Sequence, residues 1–328
     1  MILICFGTRP EYIKFKPLIE KMRGVIPFKT LFTSQHEDLV DSKTDYTVHI
    51  KDGRNRLDSI VSSIMDSFDF HKEGITHVMV QGDTATSFAA ALSAFHHKIP
   101  VIHLEAGMRT YDMENPYPEE FYRQCISKIA HLHFTPSSYE TGYLKQDKVK
   151  GDVHTVGNTV LDNLVGVSSS YDNVVLVTLH RRENHKHMED YFNILSKLAK
   201  DNQDLKFVLP IHPNPNVKKY KNLLDGVLVV NPLPYDQMIS AISKCRFIIS
   251  DSGGIQEEAS FFKKKVIVCR EKTERVATIG TSSFMCPSPK ELEELFYQIK
   301  DNYIIEDECP YGNGTTSKKI VEILKCVI

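Results

Sequence analysis

No stretch of this chain stays apolar for anything near the roughly 18 residues that a membrane-spanning helix needs. No block of like charge runs along it either. Its formal net charge is −2 over 328 residues, which leaves no basic face or tail of the kind a duplex nucleic-acid binder carries. Membrane-surface binding has no support. The seven cysteines, at positions 5, 125, 245, 269, 286, 309 and 326, are odd in number and show no paired spacing. They read as reduced residues in apolar runs of a cytoplasmic protein. The opening MILICFGTRPE is not a signal peptide, because its apolar run is short and meets Arg9 and Glu11; it reads as a first buried strand. There is no internal repeat, no low-complexity tract and no Ser-centred nucleophile elbow.

What is present is ordinary for a large soluble enzyme: 41% apolar and 25% charged residues. The length is comfortable for two domains. Short apolar runs at 1–6, 29–33, 77–81, 100–104, 131–135, 153–156, 173–179, 205–211, 227–230, 246–250 and 265–269 read as strands. Between them lie amphipathic stretches at 11–23, 55–72, 84–97, 118–130, 187–202, 234–244 and 288–301, and a last helix at about 315–327. Buried strands alternating with helices predict an α/β protein with parallel sheets wrapped by helices. The small, polar stretch GVSSSYDN, 166–173, marks the domain break. The expected division is 1–165, then 166–305, with 306–328 as a C-terminal helix that packs back on the first domain. Two doubly wound domains with the active-site cleft between them form the natural assembly. Ligands of such sheets sit beyond the carboxyl ends of strands, so motifs just after strands are the ones to read.

The first motif is CFGTRPEYIK, 5–14. It has a strand, a Gly7 turn, Arg9, Pro10 at a first helical position, and Lys14 one turn on. The Gly-Lys-Ser/Thr ending of a nucleoside-triphosphate loop is missing. A single glycine also excludes the dinucleotide fingerprint. In VMVQGDTATSF a strand ends at Gly82-Asp83-Thr84, where Asp83 is either a helix cap or a cleft acid. In IPVIHLEAGMRTYDMENPYPEE, Glu105 closes a strand, and Glu119 and Glu120 sit at a helix start with Arg123 one turn on. An acid at a helix start often only complements the dipole. Asp83, Glu105 and Glu119 converging from two strand ends and a helix start form a set able to hold proton donors and acceptors. LHRRE places His180, Arg181 and Arg182 after a strand of the second domain, and HPNPNV adds His212 after the next. The His-x-His pairs at 131/133 and 185/187 lack Cys or carboxylate partners at ligand spacing, so no metal is expected.

FIISDSGGIQEEASFF, 247–262, poses a conflict. Ser252-Gly253-Gly254 offers backbone amides at a helix start, which suits phosphate. Glu258 follows one turn later and would repel it. A nucleoside diphosphate satisfies both ends, with pyrophosphate on the amides and a ribose diol on the carboxylate. Arg275 in REKTER is a further phosphate partner.

GTRPEYIK, QGDTATS, HLEAGMRT, NPYPEE, GNTVLDNL, LHRRE, HPNPNV, DSGGIQEEA and RE-TER, in that order, strongly resemble the non-hydrolysing UDP-N-acetylglucosamine 2-epimerases. The resemblance covers the chain from residue 2 to about 315. It implies two Rossmann-like domains, similar to one class of glycosyltransferases (glycosyltransferase-B-like), a homodimer, a cytoplasmic UDP-sugar enzyme, no NAD and no essential metal. Carried over, it implies that Arg9 and Lys14 reach the nucleotide or sugar. Asp83, Glu105, Glu119 and His180 become catalytic or sugar-contacting, with Arg123 close by and His212 lining the cleft. Ser252, Gly253, Gly254, Glu258 and Arg275 hold UDP, and Leu233 and Met238 in PLPYDQM meet uracil through backbone groups.

The reaction implied is epimerisation at C2 of a UDP-N-acetyl-hexosamine, by eliminating UDP to a glycal and adding it back. Competing readings are a hydrolysing epimerase that releases UDP and ManNAc, a two-domain glycosyltransferase, and a UDP-sugar sensor without turnover. Three features depart from the family. Glu37 replaces a residue that is usually basic, and 43–56 is shortened where bacterial members form an allosteric pocket, so the resemblance carries no expectation of that regulation. Val276-Ala277 replaces the usual Pro-Glu after Arg275, which opens the choice of UDP-sugar. The chain is also some tens of residues shorter than typical members.

Overall fold

A computed structural model of the chain describes residues 1–35, 44–67, 70 and 73–328. They cluster into two compact units, Met1–Asn163 with Tyr311–Ile328, and Leu164–Pro310. Glu37 and residue 43 lie outside the described residues.

Unit 1 carries seven parallel strands among the described residues. They are β1 (Ile2–Phe6), β2 (Phe28–Phe32), β3 (Tyr46–Thr47), β4 (His77–Gln81), β5 (Val101–Leu104), β6 (Leu132–Thr135) and β7 (Asp152–Thr155), in the order β3-β2-β1-β4-β5-β6-β7. Its helices are α1 (Arg9–Met22), α2 (Arg56–Met65), α3 (Ala85–His96), α4 (Glu119–Ile129) and α5 (Ser138–Gln146). In unit 2 the chain runs β8 (Val174–Thr178), α6 (Met188–Asp201), β9 (Lys206–Pro210), α7 (Pro215–Lys218), β10 (Leu228–Val230), α8 (Tyr235–Lys244), β11 (Phe247–Ser250), α9 (Gly253–Phe261), β12 (Val266–Val268), β13 (Ser283–Met285) and α10 (Leu292–Lys300). Its six strands are again parallel, in the order β10-β9-β8-β11-β12-β13. Each unit is Rossmann-like.

The sequence explains the layering. β1, ILICF, is buried at every position, as a parallel strand covered on both faces must be. One face of the sheet packs Leu3, Cys5, Val78 and Val80 against the alanine-rich α3, whose Ala89, Ala90 and Ala94 are small enough for close approach. The other face packs Ile2, Ile4 and Phe6 against Phe15 and Leu18 of α1 and against Ile320, Val321 and Leu324. Those last three belong to α11 (Thr316–Val327), which returns to unit 1. Asp162 fixes its start by accepting the amides of Thr316 (3.0 Å) and Ser317 (2.6 Å). In unit 2, Val175, Val177, Phe207, Phe247 and Ile249 meet Tyr191, Phe192 and Phe296 in a separate core.

Four elements differ from the sequence expectation. β3 and β13 are too short to carry an apolar run of their own. α5, SYETGYLKQ, is too polar to show a helical stripe; it is held by its Ser137 cap, whose side chain accepts the Tyr139 amide at 3.1 Å. α2 ends at Met65 rather than extending over 55–72. Among the described residues, no helix is long and apolar enough to cross a membrane.

Candidate active site

The order of the unit 1 sheet reverses at β1: β2 and β3 lie to one side, β4 to β7 to the other. The crevice at the carboxyl ends of β1 and β4 is therefore the ligand position for a sheet of this kind. Gly7 follows β1. A Cβ there would run into the hydroxyl oxygens of Thr33 and Thr86, which hydrogen-bond each other at 2.7 Å, so only glycine fits. Glu11 lies 1% exposed beneath this turn. Its Oε2 accepts from the Gly7 amide (3.0 Å), the Thr8 amide (2.8 Å) and the Thr8 hydroxyl (2.7 Å). Its Oε1 accepts from Thr84 (2.7 Å) and Ser87 (3.0 Å), at the start of α3. Burial pushes the Glu11 carboxyl above its ordinary value, and the hydrogen bonds pull against that. One buried carboxylate thus ties the turn bearing Arg9 to the turn bearing Asp83.

Around this frame the sequence-derived residues form two clusters. Lys14 reaches from α1 to the Glu105 carboxylate, which also accepts from Gln81. Glu105 is held at φ +56°, a left-handed conformation that costs a non-glycine residue about 1 kcal/mol or more and persists only where packing over-determines it. Asp83 pairs with Nη2 of buried Arg123 at 2.6 Å. Nη1 of Arg123 lies 3.4 Å from Glu120. The two acids of NPYPEE part company here. Glu120 is fully buried and accepts from the Thr110 amide (3.0 Å), the Tyr111 amide (3.1 Å) and Gln124 (2.8 Å). Glu119, the first residue of α4, is half-buried. Arg9 opens α1 and is exposed. Fully buried His103 is forced to the neutral ring, its pKa pushed down to about 3 by burial. A neutral ring bonded to a carbonyl must donate, so its Nε2–H holds the Gly82 carbonyl at 2.8 Å.

In unit 2 the strand order reverses at β8, whose neighbours are β9 and β11. His180 lies just past β8. Its amide and that of Arg181 donate to Oδ2 of Asp251 at 2.9 and 2.8 Å, and Asn184 Nδ2 adds a third bond at 3.1 Å. The His180 and His212 rings stack, with centroids 5.1 Å apart and 15° between planes. Burial is the main cause lowering the pKa of both imidazoles.

Past β11, Ser252 is the N-cap of α9, and no side chain caps that helix start. The guanidinium of Arg275 is packed against it: a Cβ at Gly253 would sit 2.5 Å from Arg275 Nη1. Arg275, read as a phosphate partner, is itself buried among carboxylates, with Nε 3.0 Å from Glu257 and Nη1 paired to Glu274. Arg270 extends the network to Glu183 (2.8 Å) and Glu274 (3.0 Å). Glu258 is buried one turn into α9, beside the Tyr235 hydroxyl, whose pKa is raised by burial and then by that carboxylate. Tyr235 belongs to the PLPYDQM segment. Leu233 precedes α8 and Met238 lies in its first turn, where the Met238 amide is taken by the Pro234 carbonyl at 2.9 Å. Gly254 follows Gly253 with open space at its Cβ position.

The structure therefore groups Lys14 with Glu105, Asp83 with Arg123, His180 with His212, and Gly253 with Arg275. Sequence reasoning passed over Glu11, His103 and Asp251. Glu11 carried a signal, because Thr8-Arg9-Pro10-Glu11 is a capping-box pattern. The other two are single residues inside apolar strand ends. Among the described residues, no group of three or more His, Cys, Asp or Glu side chains is placed to hold a metal ion.

Comparison with known proteins identifies the family. A family model described as UDP-N-acetylglucosamine 2-epimerase matches residues 28–325. The chain is 37% identical to the UDP-N-acetylglucosamine 2-epimerase of Campylobacter jejuni, over 98% of this chain and 97% of that protein. It is 36% identical to that of Neisseria meningitidis, over 98% of each. A crystal structure of the Neisseria meningitidis UDP-GlcNAc 2-epimerase bound to UDP-GlcNAc superposes with a TM-score of 0.89 at 34% identity, covering 99% of each chain.

Proposed function

The chain belongs to the UDP-N-acetylglucosamine 2-epimerase family, and from that premise we propose that it inverts C2 of a UDP-N-acetyl-hexosamine, interconverting UDP-GlcNAc and UDP-ManNAc. The observation that carries the reading is the start of α9. There an uncapped helix N-terminus, two glycines and the Arg275 guanidinium meet at one point, with buried Glu258 one turn on. Pyrophosphate oxygens suit the amides and the cation, and a ribose diol suits the carboxylate. Leu233 and Met238 flank the base.

The C2 proton of the sugar is not acidic, so direct deprotonation is unattractive. In the proposed route the C1–O bond breaks as UDP leaves, and the C2 proton goes to a base, giving a glycal. UDP then re-adds at C1 while C2 takes a proton on its other face. Departing UDP needs positive partners, which Ser252, Gly253, Gly254, Arg275 and Arg9 supply. The electron-poor sugar needs carboxylates close by. Asp83, Glu105, Glu119 and His180 are the proton-transfer candidates, with Lys14 beside Glu105, Arg123 beside Asp83 and His212 stacked on His180. A homodimer belongs to the same reading; light scattering that returned one chain's mass would remove it.

The test is incubation with UDP-GlcNAc in deuterated water, followed by NMR. UDP-ManNAc carrying deuterium at C2 is expected. Epimerised product without deuterium would rule out the elimination route. Free UDP accumulating in step with free sugar would move the reading to a hydrolysing enzyme.

A further inference from the structure

We propose that Asp251 is the positioning residue of His180: its buried Oδ1 takes the Nδ1–H of the imidazole and leaves Nε2 as the proton-transfer atom. The proposal rests on the reading of His180 as a proton-transfer group. Asp251 closes β11 and is fully buried. Its two oxygens have different surroundings. Oδ2 is saturated by the His180 and Arg181 amides and by Asn184, and Asn184 is anchored in turn to the Cys269 carbonyl at 2.8 Å. This holds the loop after β8 against the end of β11. Oδ1 has no hydrogen-bond donor. A buried carboxylate oxygen left without one is costly, and such a group calls for a reason. His180 Nδ1 stands 3.6 Å from it. That is beyond a hydrogen bond, but catalytic bonds are often long in a resting site and tighten in the working complex.

The ring has little freedom to turn elsewhere. His212 stacks on it at 15°, and the backbone amide of His180 is bonded to the same carboxylate. The charged and titratable groups facing the ring are Asp251, which favours the imidazolium, and Arg181, His212 and His185, which oppose it. Burial opposes it most, so the ring rests neutral, with Asp251 holding it within reach of protonation. A carboxylate on one ring nitrogen selects the tautomer and steadies the cation that forms at the other.

Three measurements test this. In the wild-type protein, NMR of nitrogen-15-labelled histidine is expected to show His180 as the Nδ1–H tautomer. The Nε2–H tautomer would overturn the proposal whether or not the protein turns over a UDP-sugar, so this result stands apart from the epimerase assay. Asp251→Asn keeps one oxygen for the three loop donors and presents an NH2 group to Nδ1, which moves the ring proton to Nε2. Its kcat is expected to fall about 100-fold or more, with KM within about threefold, UDP affinity retained and the His180 pKa lowered. Unchanged turnover and titration would refute the role. Finally, adding Asp251→Asn to His180→Asn is expected to cost no further activity. Independent, multiplying losses would make Asp251 a purely structural residue.

Discussion

Glu11 is the frame residue of unit 1, and removing its carboxylate separates two effects. In Glu11→Ala the amides of Gly7 and Thr8 lose their acceptor while remaining buried. Each such orphan costs about 1–3 kcal/mol, so the pair alone removes about 2–6 kcal/mol. Glu11→Gln differs. Its amide oxygen can keep the two backbone donors, and its NH2 can donate to Thr84 and Ser87, whose hydroxyls rotate to accept. That substitution should cost about 1 kcal/mol, the scale of one rearranged hydrogen bond. The Glu11 pKa is raised above 4.5 by burial. In the wild type this group's contribution is fully present below the unfolded pKa and is lost as pH rises through the folded value. The gap between wild type and Glu11→Gln should therefore narrow as pH rises from about 4.5. Urea unfolding followed by circular dichroism, with hydrogen exchange in β1 and α3, reads both effects. Equal costs for the two variants, or a gap that widens with pH, would refute the reasoning. Turnover of the alanine variant should fall as well, since Arg9 and Asp83 lose their common anchor.

Three further outcomes follow from the same geometry. Asp83→Asn should lower turnover about 100-fold or more, and near-normal activity would remove Asp83 from the chemistry. Gly253→Ala sets a methyl group 2.5 Å from Arg275 Nη1, and displacing that buried side chain should weaken UDP binding about tenfold or more by calorimetry; an unchanged Kd would detach Arg275 and the α9 start from the nucleotide. His103, with its pKa depressed from 6.5 to about 3, gives stability that is present above the unfolded value and lost as pH falls. Between pH 6.5 and about 5 the loss is about 2 kcal/mol. His103→Gln, which keeps a donor for the Gly82 carbonyl, should unfold with less acid sensitivity, and an identical slope would place the titration elsewhere.

The strands were legible because a parallel strand buried on both faces leaves a continuous apolar run, as in ILICF and FIIS. The helices were legible where one face is apolar, as in α6 and α10. β3 is two residues long and pairs only at Leu31 and Phe32, so nothing in its composition sets it apart. Most candidate site residues carry a different signal: they follow strands, and parallel topology gathers strand ends on one edge. Partnerships were not legible. Lys14 meets Glu105 across 91 positions and His180 meets Asp251 across 71, and only the sheet order brings such pairs together. Arg275 illustrates the limit. Its place beside Gly253 follows from strand neighbours β11 and β12, but its enclosure by Glu257 and Glu274 depends on side-chain packing that spacing does not encode.

The proposed division of labour between the units rests on how their helix starts are capped. In unit 1 the starts that flank the crevice are already satisfied. Glu11 and Thr8 close a capping box on α1, and the Thr84 hydroxyl accepts the Ser87 amide of α3 at 3.0 Å. A phosphate there would have to displace internal acceptors and face the Asp83 and Glu105 carboxylates as well. In unit 2 the N-cap of α9, Ser252, makes no side-chain cap bond and two glycines follow it, and the Arg275 guanidinium lies against Gly253 together with the Glu274 carboxylate that pairs with it. An oxyanion at that point has the helix dipole in its favour, while the Ser252 amide is already bonded to the Ser250 hydroxyl at 3.0 Å. On the proposed reading pyrophosphate goes to the α9 start of unit 2, and Asp83 and Glu105 stand in unit 1. The proposed elimination would use that segregation, with the leaving group on amides and a cation and the unit 1 carboxylates left to act on carbon.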